Sequence, residues 1–444
     1  MLQPQTPLFT DSSRLGTARF LEVADSIGRQ LVRDAVWSGD RCSWMVWTKE
    51  PVAGAFRSVY RSAALDLYQG VSGIALFLAY LSGITQDRAQ RETVDGALRQ
   101  IAWQLRHVRP EQFGFYSGGI GAAYALCSIG ARFASEQWIQ TGLDEVDRVS
   151  GQASVGNQLD LLSGSAGAIL ALLKLAQRFD RPRLLDRTET FAAAIETAAV
   201  RSDTGTSWPM HAGETRHLTG LSHGTSGMAL ALLELNHRRP NPAWLALALS
   251  ALQYERNLFD PRQRNWPDFR TFPGVPQNGP TYPVAWCHGS TGIGLSRLRI
   301  RELLPADPAL LPEIDAALSG AILALNGSGA GADFTLCHGA TGNGELLLSI
   351  GQSFGHADAV AASHKVGDLG ISLFQTPSIP WACGVPDAGE TPALMTGIAG
   401  IGLYYLRLFD PSAAPSVLMP WDIAGPAPAY DTSANSVPSR ESTP

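Results

Sequence analysis

Seven times along the chain a Gly-x-x-Gly turn opens a run of apolar residues. The copies are LYQGVSGIALFLAYL (67–81), FYSGGIGAAYAL (115–126), LLSGSAGAILALL (161–173), LSHGTSGMALALLEL (221–235), WCHGSTGIGLSRL (286–298), LCHGATGNGELLL (336–348) and LMTGIAGIGLYYLRL (394–408). Their first glycines, Gly70, Gly118, Gly164, Gly224, Gly289, Gly339 and Gly397, stand 46 to 65 residues apart. Each interval is long enough for a pair of helices and their loops, the period of a repeat architecture. The runs after the glycines are apolar nearly all round, which predicts helices buried on every side. The segments between them differ. In 91–108, Val94, Leu98, Ile101, Leu105 and Val108 recur at steps of three and four among Arg, Glu and Gln. Leu184, Phe191, Ile195 and Ala198 line one face in the same way, as do Ile314, Leu318 and Leu325. These are amphipathic outer helices, and strand alternation is nearly absent.

The expected fold is therefore all-α: an α/α-toroid, a double ring of seven inner and seven outer helices. An open solenoid is the competing arrangement. Closure is favoured because inner helices buried on two sides leave no natural end, and neither terminal repeat carries a polar cap. All seven turns then gather at one end of the barrel. Residues 1–20 are expected to be weakly structured, and 21–66 to form one or two leading helices of a barrel spanning 21–410. The Pro/Ser/Ala-rich stretch 411–444 reads as a loose tail. Residues 257–285, rich in proline, read as a long irregular loop into the fifth repeat, and such loops are often functional.

Composition narrows the class of protein. With 45% hydrophobic and 17% charged residues in 444, the chain has ample apolar content for a large core. A net charge of −6 offers no basic surface for nucleic acid or anionic membranes. No apolar stretch approaches the roughly 18–20 residues of a membrane span, and the N-terminus lacks a basic region followed by an apolar run. The five cysteines, at 42, 127, 287, 337 and 383, are too few and scattered for a disulfide framework, which points to reduced thiols in a cytoplasm.

Chemistry enters through the register of the repeats. The two positions before each first glycine read Tyr68-Gln69, Tyr116-Ser117, Leu162-Ser163, Ser222-His223, Cys287-His288, Cys337-His338 and Met395-Thr396. Three consecutive repeats thus carry metal-capable residues at one structural position. With nine histidines in 444 residues, a given cysteine precedes histidine by chance about 2% of the time. Two such cases in one register mark a metal or thiol site, whereas Cys42, Cys127 and Cys383 read as ordinary semi-buried thiols. Cys287, Cys337 and His338 make a three-ligand set suited to zinc, with a coordination position left for water or substrate. His288 keeps three roles open: a fourth ligand, an acid near the metal, or a structural rim residue. His223, one repeat earlier, suits acid–base work. Asp160, four residues before Gly164, either orients that histidine or substrate, or caps its turn. His211 and His217, on the polar loop before the fourth repeat, have weaker claims. GSGAGA (327–332) has no strand before it and is discarded as a phosphate loop.

These motifs resemble the lanthionine synthetase cyclase (LanC-like) family over almost the whole chain. WCHGSTGIGLSRLR, LCHGATGNGELLL and LMTGIAGIG are most similar to the C-terminal cyclase domains of LanM- and LanL-type synthetases. The resemblance implies an α/α-toroid with one zinc ion per chain, adding peptide cysteine thiols to dehydroalanine or dehydrobutyrine. By motif, the zinc ligands fall on Cys287, Cys337 and His338, the catalytic histidine on His223 and the catalytic aspartate on Asp160. His288 is the further candidate acid. Free-standing nisin-type cyclases typically have Tyr where His288 stands and Arg where Pro283 stands. Implied partners are a dehydrated precursor peptide with its leader segment, a dehydratase or kinase-lyase, and an export transporter. The chain is expected to be a stand-alone cyclase or a domain of a longer protein. The alternative within the family is a thiol- or glutathione-binding adaptor or thiol-transfer protein that closes no rings.

Overall fold

The computed structural model describes residues 12–52, 55–210, 214–270, 279–327, 333–375 and 379–419. The chain begins with α1 (Ser12–Arg33) and two antiparallel hairpins, β1 (Val36–Ser38) with β2 (Arg41–Ser43), and β3 (Met45–Val52) with β4 (Ala55–Ser62). Helices α2 (Val71–Thr85), α3 (Arg88–Leu105), α4 (Gly119–Arg132), α5 (Glu136–Gln152), α6 (Ser165–Arg178) and α7 (Arg183–Thr197) follow. A small hairpin, β5 (Val200–Ser202) with β6 (Gly205–Ser207), precedes α8 (Thr225–Arg238) and α9 (Pro242–Leu258). The chain continues through α10 (Ser290–Leu303), α11 (Leu310–Gly327), α12 (Ala340–Phe354), α13 (Ala357–Phe374) and α14 (Ile398–Phe409).

The even-numbered helices are those opened by the Gly-x-x-Gly turns, and they form the inner ring. Each packs on the outer helix that follows it, and α14 packs on α1. Neighbouring inner helices touch in order from α2 to α14, and α14 touches α2, so the ring is closed. This is the double ring of seven and seven expected from the repeats.

The turns close a second ring, made of main-chain hydrogen bonds. Tyr68 N–H donates to Tyr116 O (2.9 Å), Tyr116 to Leu162 (3.0 Å), Leu162 to Ser222 (3.2 Å) and Ser222 to Cys287 (3.4 Å). Cys287 then donates to Cys337 (3.3 Å), Cys337 to Met395 (2.9 Å), and Met395 back to Tyr68 (2.9 Å). Each bond leaves the residue two before a first glycine, so one register is physically tied to the next around the mouth.

Three features depart from the sequence expectation. The segment 1–20, expected to be weakly structured, already contains the start of α1, and Phe20 is fully buried against His364 and Tyr405. Residues 36–62 form hairpins instead of helices, pinned by Trp44, whose buried indole N–H donates to Leu31 O (2.8 Å). Residues 411–419, assigned to the tail, fold back into the ring: Tyr116 donates to Val417 O (2.6 Å) and Trp286 to Leu418 O (3.1 Å). Tyr116 and Trp286 come from the second and fifth turns, yet their rings meet at 5.0 Å. Burying Leu418 and Met419 in this centre removes apolar surface from water, a sufficient reason for the segment to return.

The inner helices are also less uniformly apolar than their sequences suggest. Arg297 on α10 is fully buried between Glu255 (2.7 Å) and Glu313 (2.5 Å). Arg407 on α14 pairs with buried Glu345 (2.8 Å) on α12. A charge in such a place is tolerated only when paired and hydrogen-bonded.

Candidate active site

The fifth and sixth turns differ in one backbone angle. Gly339 opens α12 from extended backbone at φ −104, but Gly289 opens α10 at φ 84. That left-handed conformation belongs to glycine, and a Cβ at 289 would run into the carbonyl oxygen of Pro283. The two Cys-His-Gly segments therefore point their histidines differently.

Cys287, Cys337 and His338 come together as a metal-capable group, their ligand atoms all within 4.8 Å of one another. His288 is outside that group, so the structure does not make it a fourth ligand. His338 Nε2 donates to Gly384 O (3.0 Å) and lies 3.1 Å from Oδ2 of Asp333. That arrangement leaves Nδ1 for a metal, the usual division of labour in an imidazole ligand. A Cβ at Gly384 would sit 2.7 Å from His338 Nε2, so glycine is what lets the loop approach the ring. The hydroxyl of Tyr68 donates to Cys337 Sγ (2.8 Å).

The protein alone holds these groups in a shared protonation pattern. Cys287 accepts hydrogen bonds from Cys337 and His338, which hold its thiol well below the ordinary value against the opposing effect of burial. Burial and the neighbouring Cys287 push Cys337 well above it. For His338 burial works downward, but the hydrogen bond to Cys287 and the charge of Asp333 raise it to about 9. Two sulfurs and one imidazole are a donor set that fits zinc, with fewer than four protein ligands.

The neighbouring turns, the nearer joined to Cys287 through the main chain of Ser222, carry a second pair of polar side chains. His223 Nδ1 lies 2.6 Å from Oδ2 of Asp160, whose other oxygen accepts from Ser163 N (2.7 Å) and Ser163 Oγ (3.0 Å). Asp160 thus holds Ser163 of its own turn and the His223 ring at once, while α6 itself starts from Gly164 without a side-chain cap. Burial raises the Asp160 carboxyl, but the His223 hydrogen bond and charge, with the Ser163 bonds, outweigh it and leave it below its ordinary value.

His288 lies beside His223, the two rings stacked with centroids 5.6 Å apart. It is 1% exposed, and neither ring nitrogen has a hydrogen-bond partner among the described residues. Burial, with Arg270 and His223 nearby, outweighs the neighbouring acids and lowers it to about 4, so the ring is neutral at pH 7. Asp268 Oδ2, 3.9 Å from His288 Nδ1, comes from the stretch that the sequence marks as a long loop. Asp268 itself is buried and held by Arg270 (2.7 Å).

His217 stands apart, buried with its Nδ1 2.8 Å from Ser207 Oγ, as a structural residue would be. His211 lies outside the described residues. The sequence reading missed Tyr68, Asp268, Asp333 and Gly384 as site residues. Tyr68 was in the register that exposed the cysteines, but the other three lie outside it and carry no local signal.

All five cysteines are free. No helix among the described residues is long and apolar enough to cross a membrane.

Comparison with known proteins places the chain in a family. A lacticin 481/lactococcin biosynthesis protein, LcnDR2, of Lactococcus lactis subsp. lactis is 21% identical over 437 residues. The match covers 95% of this chain but 45% of that protein, so the chain spans about half the length of its curated relative. A solved structure of nisin cyclase is similar in fold, with a TM-score of 0.62 and 15% identity over 90% of this chain and 95% of that one. The sequence profile described as lanthionine synthetase C-like protein matches residues 62–419, which include every turn of the ring. With that match over most of its length, the chain belongs to the lanthionine synthetase C-like family.

Proposed function

We propose that the protein is a zinc-dependent cyclase that joins peptide cysteine thiols to dehydroalanine or dehydrobutyrine, forming thioether rings. The observation that carries this reading is that a Cys287–Cys337–His338 group and an Asp160–His223 couple lie on adjoining turns of one ring, linked by the Ser222–Cys287 hydrogen bond and the His223–His288 stack. Zinc held by the three ligands would bind the substrate thiol and lower its pKa, so that thiolate forms near neutral pH.

The protein's own groups then have distinct tasks. Asp160 accepts from Nδ1 of His223, which fixes the tautomer and turns Nε2 toward the reacting groups. His223 takes the thiol proton and returns it to the α-carbon after sulfur has attacked the β-carbon. One C–S bond forms, the C=C bond becomes single, and the S–H proton ends on carbon, so no oxidant or reductant is consumed. His288, neutral and buried at the side of His223, is a second hydrogen-bonding group for the peptide carbonyl where the enolate charge grows.

The substrate in this reading is a dehydrated precursor peptide with a leader segment, supplied by a dehydratase or kinase-lyase and passed to an exporter. Free thiols throughout the chain suit a reducing cytoplasm. An adaptor that merely binds thiols would have no use for the Asp160–His223 couple. Incubation with a dehydrated, cysteine-containing precursor, followed by thiol alkylation and mass spectrometry, tests the proposal. Loss of alkylatable cysteine without mass change supports it; full alkylation across precursors, with zinc-loaded protein, refutes it.

A further inference from the structure

We infer that Tyr68 is a positioning residue for the metal centre, its hydroxyl donating a hydrogen bond to Cys337 Sγ and so setting that sulfur's direction and charge. The inference rests on the zinc reading of Cys287, Cys337 and His338. The donor and acceptor atoms are 2.8 Å apart, although 269 residues separate them in sequence.

Tyr68 is held for this task from several sides. Its N–H donates to Tyr116 O and its carbonyl accepts from Met395 N, both at 2.9 Å, so its main chain is a link in the ring of turns. The adjacent Gln69 donates from its main chain to Asp66 Oδ1 (2.8 Å). Its side chain accepts from Thr48 (2.7 Å) and donates to Thr396 (3.3 Å). The phenol is therefore delivered to the sulfur by a braced turn.

Tyr116 supplies the contrast. It occupies the equivalent place in the second repeat, but its hydroxyl donates to the main-chain carbonyl of Val417 (2.6 Å). One register position thus serves packing in one repeat and the ligand sulfur in another. A donor to a thiolate withdraws charge from it, which limits how strongly that sulfur neutralises the metal and fixes where its lone pairs point. A metal with less charge donated by its ligands is the better activator of an incoming thiol.

The test uses cobalt(II) in place of zinc, because its sulfur-to-metal charge-transfer band reads the thiolates directly. In Tyr68→Phe the ring is retained and only the donor is lost. The band should move to longer wavelength, and cobalt and zinc affinity should fall about tenfold, the lower end for a residue supporting a ligand. Tyr116→Phe should leave both unchanged. A Tyr68→Phe protein with the wild-type band and affinity overturns the inference while leaving the zinc reading intact. A wild-type protein that takes up neither metal overturns both. Should Tyr68→Phe fold poorly by circular dichroism, Tyr68→His, which restores a donor on a ring, should recover the wild-type band; a recovered fold with a shifted band also overturns the inference.

Discussion

Asp160 and His223 belong to different repeats, 63 positions apart, yet their side chains meet at 2.6 Å on the rim that carries the metal group. Asp160→Asn keeps the shape and removes the charge that orients the imidazole. Ring closure should slow by about 10²–10⁴-fold, the range of a general acid–base contribution, with zinc content unchanged by elemental analysis. Loss of metal from this variant would make the pair part of the ligand shell.

The same carboxylate predicts an acid response. Its folded-state value is lowered, so it stabilises the fold above its unfolded value of about 3.9 and loses that contribution as pH falls through the folded value. Urea midpoints of wild type and Asp160→Asn should differ most above about pH 5 and converge at lower pH. A gap that widened on acidification would show that His223 does not hold Asp160 ionised.

Metal uptake should release protons. His338, raised to about 9, and Cys337, raised by burial, hold protons at pH 7, whereas Cys287 does not. Ligands must shed protons to bind, so about two should be released per zinc, and affinity should climb with pH, less steeply once His338 has lost its proton above about 9. Titration calorimetry in buffers of different ionisation heat measures this number directly. Cys337→Ala should abolish uptake.

His288 sets stability against activity. A buried imidazole without partners costs about 1–3 kcal/mol in unmet hydrogen bonding, and His288 has none among the described residues. His288→Leu should therefore unfold at an equal or higher urea concentration, retain zinc, and close rings more slowly. A large loss of stability would reveal that the imidazole is a structural residue.

Gly384 supplies a steric test away from the repeat motifs. A methyl group there meets His338 Nε2 at 2.7 Å and must push the ring or the loop aside. Gly384→Ala should weaken zinc binding about 10–100-fold, the range for residues that support a metal ligand, with little change in helix content. Competition with a chelating dye reads the affinity.

What could be read from the sequence was whatever each repeat had to solve for itself. Every inner helix needs a tight turn, so the same glycines recur seven times, and a metal ligand is conspicuous when it breaks a recurring phrase. The metal-capable cluster of Cys287, Cys337 and His338 was legible for that reason. The hairpins at 36–62 were not, because β3 reads MVWTKEPV, with Trp47 and Lys49 on the same alternating face. Arg297 and Arg407 were hidden too: their partners Glu255, Glu313 and Glu345 come from other helices, and composition alone does not show which charges will meet. Asp268 and Asp333 entered the site through loops, whose path follows from tertiary packing rather than from periodicity.

The circle of turns also has a consequence in time. Its closing contacts join Tyr68 and Gln69 to Met395 and Thr396, the side chains of Gln69 and Thr396 being 327 positions apart. Contacts of such separation form late and slowly. During synthesis the early helices must wait, with an inner face still bare, until α14 leaves the ribosome. Cys337 is made before its last main-chain neighbour, Met395, exists. The thiols that are to hold a metal therefore gain their final surroundings only at the end, and the nascent chain is most vulnerable to aggregation and premature metal capture in that interval.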